Sequence, residues 1–281
     1  MGASSAYTYD GLLSIQLLFQ TEYVMTTADD IMATLMMLED DEQRKVLMRF
    51  FKTGPGEYGE GDRFLGIKVP QTRAVVREAR LSVPLDEITR LLHSEWHEAR
   101  LCGLLLLVEE MKPHRQLRPK GSEALHQHRR EVVELYLRHA RQANNWDLVD
   151  LSCPGIVGEW LLTPMPDGSM PRRNLLDSLT ASTDLWEQRI AVVSTLALIR
   201  KGQYADTLRI ATTLLSHPHP LIHKAIGWML REIGKRDIDT LRRYLAEHYS
   251  ELPRTSLRYA IERMEEDERR HWLYGYGKPT K

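Results

Sequence analysis

The chain has 281 residues, 38 basic against 39 acidic side chains, 42% hydrophobic and 27% charged residues, which excludes wholesale disorder. Its two cysteines, Cys102 and Cys153, exclude a disulfide framework, a four-cysteine zinc site and a four-cysteine iron–sulfur cluster, and fit a reducing cytosol. The longest nearly unbroken apolar run, Leu101 to Val108, is far short of the ~20 residues a membrane helix needs.

In chain order, no Lys or Arg precedes Arg44, so the apolar patch Leu12–Phe19 lacks the basic flank of a secretory signal. Ala6 breaks the myristoylation pattern that Gly2 would open. Residues 1–24 are therefore set aside as an extension, residues 25–270 as the functional domain and 271–281 as a tail. Length alone, at ~150 residues per domain, suggests about two domains, but a helical repeat of this size forms one continuous body. Charge is uneven along the chain. Thr26 to Asp62 carries nine acidic and four basic residues, whereas Lys112 to Gln142 carries eight basic and three acidic ones. The basic stretch is either a solvated helix face or part of a face for nucleic acid.

Helical periodicity dominates and strong strand signals are missing. Ile88, Leu91 and Leu92 keep i, i+3, i+4 spacing, as do Val132, Leu135 and Tyr136, and less cleanly Leu208, Ala211 and Thr212. Pro84 precedes a helix start with Asp86 and Glu87 in its first turn. Lys112-Pro113 and Arg118-Pro119 close the long apolar helix. Thr163 to Pro171 reads as an exposed loop, and His217-Pro218-His219-Pro220 as a connector that launches the next helix. Trp96, Trp146, Trp186 and Trp228 recur at intervals of 50, 40 and 42 residues, near the ~40–47 of two-helix HEAT and armadillo units. The prediction is an all-α, HEAT-like helical-repeat solenoid with a concave face.

Several motifs fail on context. Gly54 to Gly59 satisfies G-x-G-x-x-G but lacks a preceding strand, and Glu57, Glu60 and Asp62 would repel a pyrophosphate. His93 and His97, and His219 and His223, are four apart, each pair on one helix face, but neither lies in H-E-x-x-H and no third ligand is evident. These histidines read better as surface or DNA-contacting groups, and no metal is expected. No G-x-S-x-G elbow exists, and Cys153 has no evident base partner. The stretch Asn144 to Asp150 carries more. Asn144 or Asn145 can cap a helix in which Trp146 and Asp150 share a face while Leu148 and Val149 turn to the core. An aromatic face beside a carboxylate stabilises a cation; the same pattern also fits a core tryptophan with a solvated aspartate.

Further along, Leu185-Trp186-Glu187-Gln188-Arg189 starts one helix. Lys224 to Glu232 forms another, with Gly227 permitting close helix approach and Trp228 and Arg231 on one side. Together with Phe64-Leu65-Gly66-Ile67-x-x-Pro70 and Thr255 to Glu262, these stretches resemble the AlkD-type DNA alkylation-repair glycosylases over roughly residues 30–265. The resemblance implies a HEAT-like solenoid with a concave, basic DNA-binding face. It also implies a monomer that acts without metal or cofactor and removes N3- and N7-alkylated purines from double-stranded DNA without extruding the base. By motif, Trp146, Asp150 and Trp228 match the catalytic cluster, Arg189 the DNA-contacting arginine, and Arg231 and Lys224 further DNA contacts. The family often has a second aromatic residue before the matching tryptophan, where this chain has Asn145.

The chemistry follows from the lesion. Alkylation puts a positive charge on the purine, and its departure as a neutral base leaves that charge on the sugar as an oxocarbenium-like state. Asp150 would stabilise it, with Trp146 and Trp228 positioning the sugar through cation–π contact. Two rivals stand beside this reading: a non-catalytic HEAT-repeat binder of structured DNA, and a protein–protein scaffold, for which the concave face would lack positive potential around Asp150. Cytoplasmic localisation is expected throughout.

Overall fold

The computed structural model describes residues 24–112 and 122–275. The extension ahead of Val24, the segment 113–121 with its Lys112-Pro113 and Arg118-Pro119 stop signals, and residues 276–281 of the tail lie outside the described residues. Fourteen α-helices and no strand occupy the rest, with one isolated bridge between Arg63 and Trp96. The helices group into two compact units, Met1–Leu148 and Val149–Lys281.

The first unit holds α1 (Ala28–Met36), α2 (Asp41–Phe50), α3 (Val69–Ala79), α4 (Leu85–Leu92), α5 (His97–Met111) and α6 (Ser122–Arg138). Helix α1 opens on a capping box: Thr27 accepts from the Asp30 N–H and Asp30 accepts from the Thr27 N–H, which satisfies two donors a helix start leaves unpaired. Helix α4 begins directly after Pro84 and buries Ile88, Leu91 and Leu92, as the periodicity predicts. At the centre lies α5, which packs against α1, α3, α4 and α6 and buries residues on every side. Its five leucines at 101 and 104–107 are at most 3% exposed, and their burial stabilises the unit by roughly 8–15 kcal/mol as an upper figure. Helix α2 is the opposite case: none of its residues is buried.

The second unit contains most of α7 (Trp146–Cys153), whose π-helical continuation is Pro154–Gly158, then α8 (Asn174–Thr180), α9 (Leu185–Arg200), α10 (Ala205–Thr213), α11 (Pro220–Gly234), α12 (Ile238–His248), α13 (Arg254–Ala260) and α14 (Glu266–Arg270). Asp184 starts α9 by accepting from the N–H groups of Trp186 and Glu187 at 2.9 and 3.0 Å. Helix α11 starts at Pro220 with His219 as its cap, as the His-Pro connector predicts. Helix α9 packs against α8, the π-helical turn, α10 and α11, and α11 against α9, α10, α12 and α13. In this unit α9 and α11 thus meet helices one or two places away in the chain, the contact pattern of an all-α helical repeat.

Three sequence expectations change. The buried face of α10 is Thr207, Ile210 and Ala211; Thr212 is exposed, because the stripe lies one residue earlier than predicted. Trp96, Trp146 and Trp186 all sit at helix starts, but Trp228 lies in the middle of α11, so the even tryptophan spacing is not a full repeat register. His93 and His97 do not share a helix face: His93 ends α4, whereas His97 opens α5.

Candidate functional site

Helix α7 begins at Trp146 because the Asn145 side-chain oxygen accepts its N–H at 2.8 Å. Asn145 is fully buried, and its amide reaches Asp62 at 3.5 Å. On the other flank, Asp147 meets His97 Nε2 at 2.9 Å, while His97 Nδ1 meets Asp62 at 2.7 Å. Arg100 pairs with the second Asp62 oxygen and donates to the Ser94 carbonyl at 2.9 Å. Two carboxylates thus face an imidazole and a guanidinium, all buried, so a protonated His97 balances the charge. Burial works against the imidazolium, but Asp147 and Asp62 outweigh it and lift the His97 pKa to about 9. Burial alone would raise the Asp62 carboxyl; His97 and Arg100 hold it below the ordinary carboxylate range instead.

An aromatic column stands on this base. Phe64 stacks over His97 with centroids 4.3 Å apart, Phe51 stacks on Phe64 at 5.2 Å, and Trp146 stacks on Phe51 at 5.4 Å. Phe50, an exposed residue at the end of α2, meets the Trp146 ring edge-to-face at 5.9 Å. Glu98 fixes the Phe64 loop from below, its carboxylate accepting from the N–H groups of Leu65, Gly66 and Ile67 at 2.9–3.0 Å. The Trp146 indole is therefore held through its ring, its backbone and both sequence neighbours.

Asp150 follows one turn later and is half-buried, while Leu148 and Val149 are fully buried. Its carboxylate is gripped by Arg189 of α9 in a fork–fork pair: Nε to Oδ1 at 2.9 Å and Nη2 to Oδ2 at 2.8 Å. The third arm of the guanidinium donates to the Leu221 carbonyl in the first turn of α11 at 2.6 Å. Gly158 makes this approach of α7 and α9 possible, because a Cβ there would lie 2.5 Å from the Ser194 carbonyl oxygen. Arg189, expected as a DNA contact, is only 4% exposed and instead holds the carboxylate and joins α9 to α11.

Trp228 is half-buried on α11, and Lys224, one turn before it, is exposed. Arg231 pairs with Glu262. The two stretches 224–232 and 255–262 pack on one another: a Cβ on Gly227 would lie 2.5 Å from the Ser256 carbonyl oxygen and the Tyr259 Cβ, and the Ser256 hydroxyl donates to the His223 carbonyl at 2.9 Å. The close approach read from Gly227 is thus the contact of α11 with α13.

Of the four histidines expected as surface or DNA-contacting groups, His93 is exposed, His219 and His223 are half-buried, and His97 alone is buried. His97 is the buried hub just described, His93 pairs with His139 at 3.0 Å, His219 accepts from the Leu221 N–H, and His223 donates to the His217 carbonyl. Sequence reading missed the Asp62–His97–Asp147 hub and the Phe50–Phe51 doublet. Only the Asp147 neighbour of Trp146 hinted at the first, since its partners lie 35 and 50 residues from one another in the chain.

Comparison with known proteins agrees with the motifs. Residues 31–264 match the family described as DNA alkylation repair enzyme. No curated protein matches the chain. Among solved structures the chain is similar to a predicted DNA alkylation repair enzyme from Enterococcus faecalis, with a TM-score of 0.59 and 17% identity, over 81% of this chain and 97% of that one; at this identity the likeness concerns the fold. With most of its length matched, the chain belongs to the DNA alkylation repair enzyme family.

Proposed function

We propose that the protein is a monofunctional DNA glycosylase that releases cationic N3- and N7-alkylated purines from double-stranded DNA. Asp150 opposes the charge that develops on the sugar, and Trp146 and Trp228 supply aromatic faces to it. The observation that carries this reading is the state of Asp150: a carboxylate clamped at both oxygens by Arg189 with its side chain still 13% exposed. Such a group cannot rotate away and is already oriented before substrate arrives, which is what electrostatic catalysis requires.

The clamp also sets the magnitude. A carboxylate ~4 Å from the sugar cation contributes about 4 kcal/mol at an effective dielectric near 20, and a guanidinium behind it, ~8 Å away, takes back about 2. The remaining ~2 kcal/mol corresponds to roughly 1.5 decades of rate. Each aromatic face adds about 0.5–2 kcal/mol. A lesion that already carries charge needs no strong general acid, so these terms act on an activated leaving group, and no base pocket of the flipping kind is required. Arg189 acts here as a positioning residue, and Lys224 and Arg231 remain the proposed phosphate contacts of the second unit.

Incubating the protein with methylated duplex and separating free bases by chromatography tests the reading. Release of 7-methylguanine or 3-methyladenine supports it; retention of DNA without release points to the non-catalytic binder.

A further inference from the structure

A groove of about 500 Å³ runs between α3 and the C-terminal end of α5, wholly inside the first unit. Its rim carries Arg73, Arg77 and Arg80 from α3 and its end, and Lys112 from the end of α5; Glu109 is the one acid in the lining and is paired with Lys112. Val76, Leu105 and Val108 form its apolar floor. All three arginines are exposed, and among the described residues no carboxylate pairs with any of them. The contrast within the same protein is sharp: Arg90, Arg209 and Arg242 each sit between two carboxylates. Like charges at i, i+4 and i, i+3 on one helix destabilise it, so nothing in the fold accounts for this row.

We propose that this groove binds the sugar–phosphate backbone of DNA, with Arg73, Arg77 and Arg80 each forking onto a phosphate. The proposal rests on DNA as the partner in the reading above and deepens it with an anchor separate from Asp150. Three features favour a nucleic-acid backbone. An arginine fork matches two phosphate oxygens. The seven steps from Arg73 to Arg80 extend about 10 Å along the helix and its end, which covers roughly three phosphates at ~3.4 Å of axial rise per strand. The apolar floor suits the carbon face of deoxyribose between them. An acidic peptide also complements cations, but its carboxylates do not recur at this spacing on one edge. The groove places a DNA anchor on the first unit, whereas Lys224 and Arg231 lie on the second.

The test uses undamaged duplex, so that it stands whether or not the protein releases bases. The variant Arg73→Gln/Arg77→Gln/Arg80→Gln removes charge at exposed positions; a melting temperature equal to wild type shows that it folds. Binding is titrated from 50 to 200 mM salt. At a slope of ~0.9 per phosphate, the log–log salt slope should fall by about 2–3 and affinity at 100 mM salt should drop about tenfold to a hundredfold. The control Arg172→Gln/Arg200→Gln, exposed arginines of the second unit, should keep the wild-type slope. A fall of at least one in the triple variant alone supports the proposal. A fall of less than one, or an equal fall in the control, overturns it and leaves the groove to an acidic protein segment.

Discussion

Asp150 and Arg189 behave as a single unit. Neither is intelligible alone: a half-buried carboxylate without its guanidinium, or a buried guanidinium without its carboxylate, is an uncompensated charge that costs about 3–5 kcal/mol. Asp150→Asn and Arg189→Gln should therefore each lower stability by an amount of that order, and the double variant should lose clearly less than their sum in urea titrations. Additive losses would mean the pair is not coupled. The sequence made Asp150 legible through its i, i+4 relation to Trp146, because helix geometry fixes such neighbours. Arg189 was legible as important but not in its role. Its partner lies 39 residues away, and no local pattern distinguishes an arginine that binds a phosphate from one that binds a buried carboxylate.

Helix α7 is pinned on both flanks of Trp146 by one buried charged hub. His97 has a pKa of about 9 in the folded protein, above the ~6.5 of an unfolded chain. Its contribution, on the order of 3 kcal/mol, is complete below about pH 6.5 and disappears as pH rises through 9. Thermal melts should show stability falling between pH 7 and 10, and His97→Gln should be less stable at pH 7 with a flatter alkaline limb. An equally steep limb in the variant would assign the titration to another group. If the hub positions the indole, His97→Gln should also change the near-ultraviolet dichroism of Trp146, a signal that Trp146→Ala in the same background removes. A second prediction concerns α11 and α13. Gly227→Ala places a methyl 2.5 Å from a backbone carbonyl oxygen, so the helices must part, at a cost of about 1–3 kcal/mol; an unchanged melting temperature would contradict that packing. Helix starts at Leu85 and Pro220 were legible from the prolines that punctuate them. The hub and the shifted stripe of α10 were not, since they depend on which helix packs where.

At the scale of the molecule, a net charge of −1 conceals uneven distribution. Many arginines on the helices meet carboxylates, whereas Arg73, Arg77 and Arg80 line one groove without one among the described residues. Composition could not reveal it, because pairing is a tertiary property. The all-α repeat, by contrast, was readable from periodicity and punctuation, and two of the stretches that carry the family resemblance, 224–232 and 255–262, pack on one another around Gly227. No helix among the described residues is long and apolar enough to cross a membrane.

The most direct measurement of the central claim is single-turnover release of 7-methylguanine from duplex DNA at saturating protein, wild type beside Asp150→Asn, at a temperature where both are folded. Loss of the carboxylate removes its ~4 kcal/mol while the Arg189 guanidinium stays, so release should slow by about three decades with the fraction of DNA bound unchanged. Equal rates would contradict the assignment of Asp150 as the group that stabilises the departing sugar's charge.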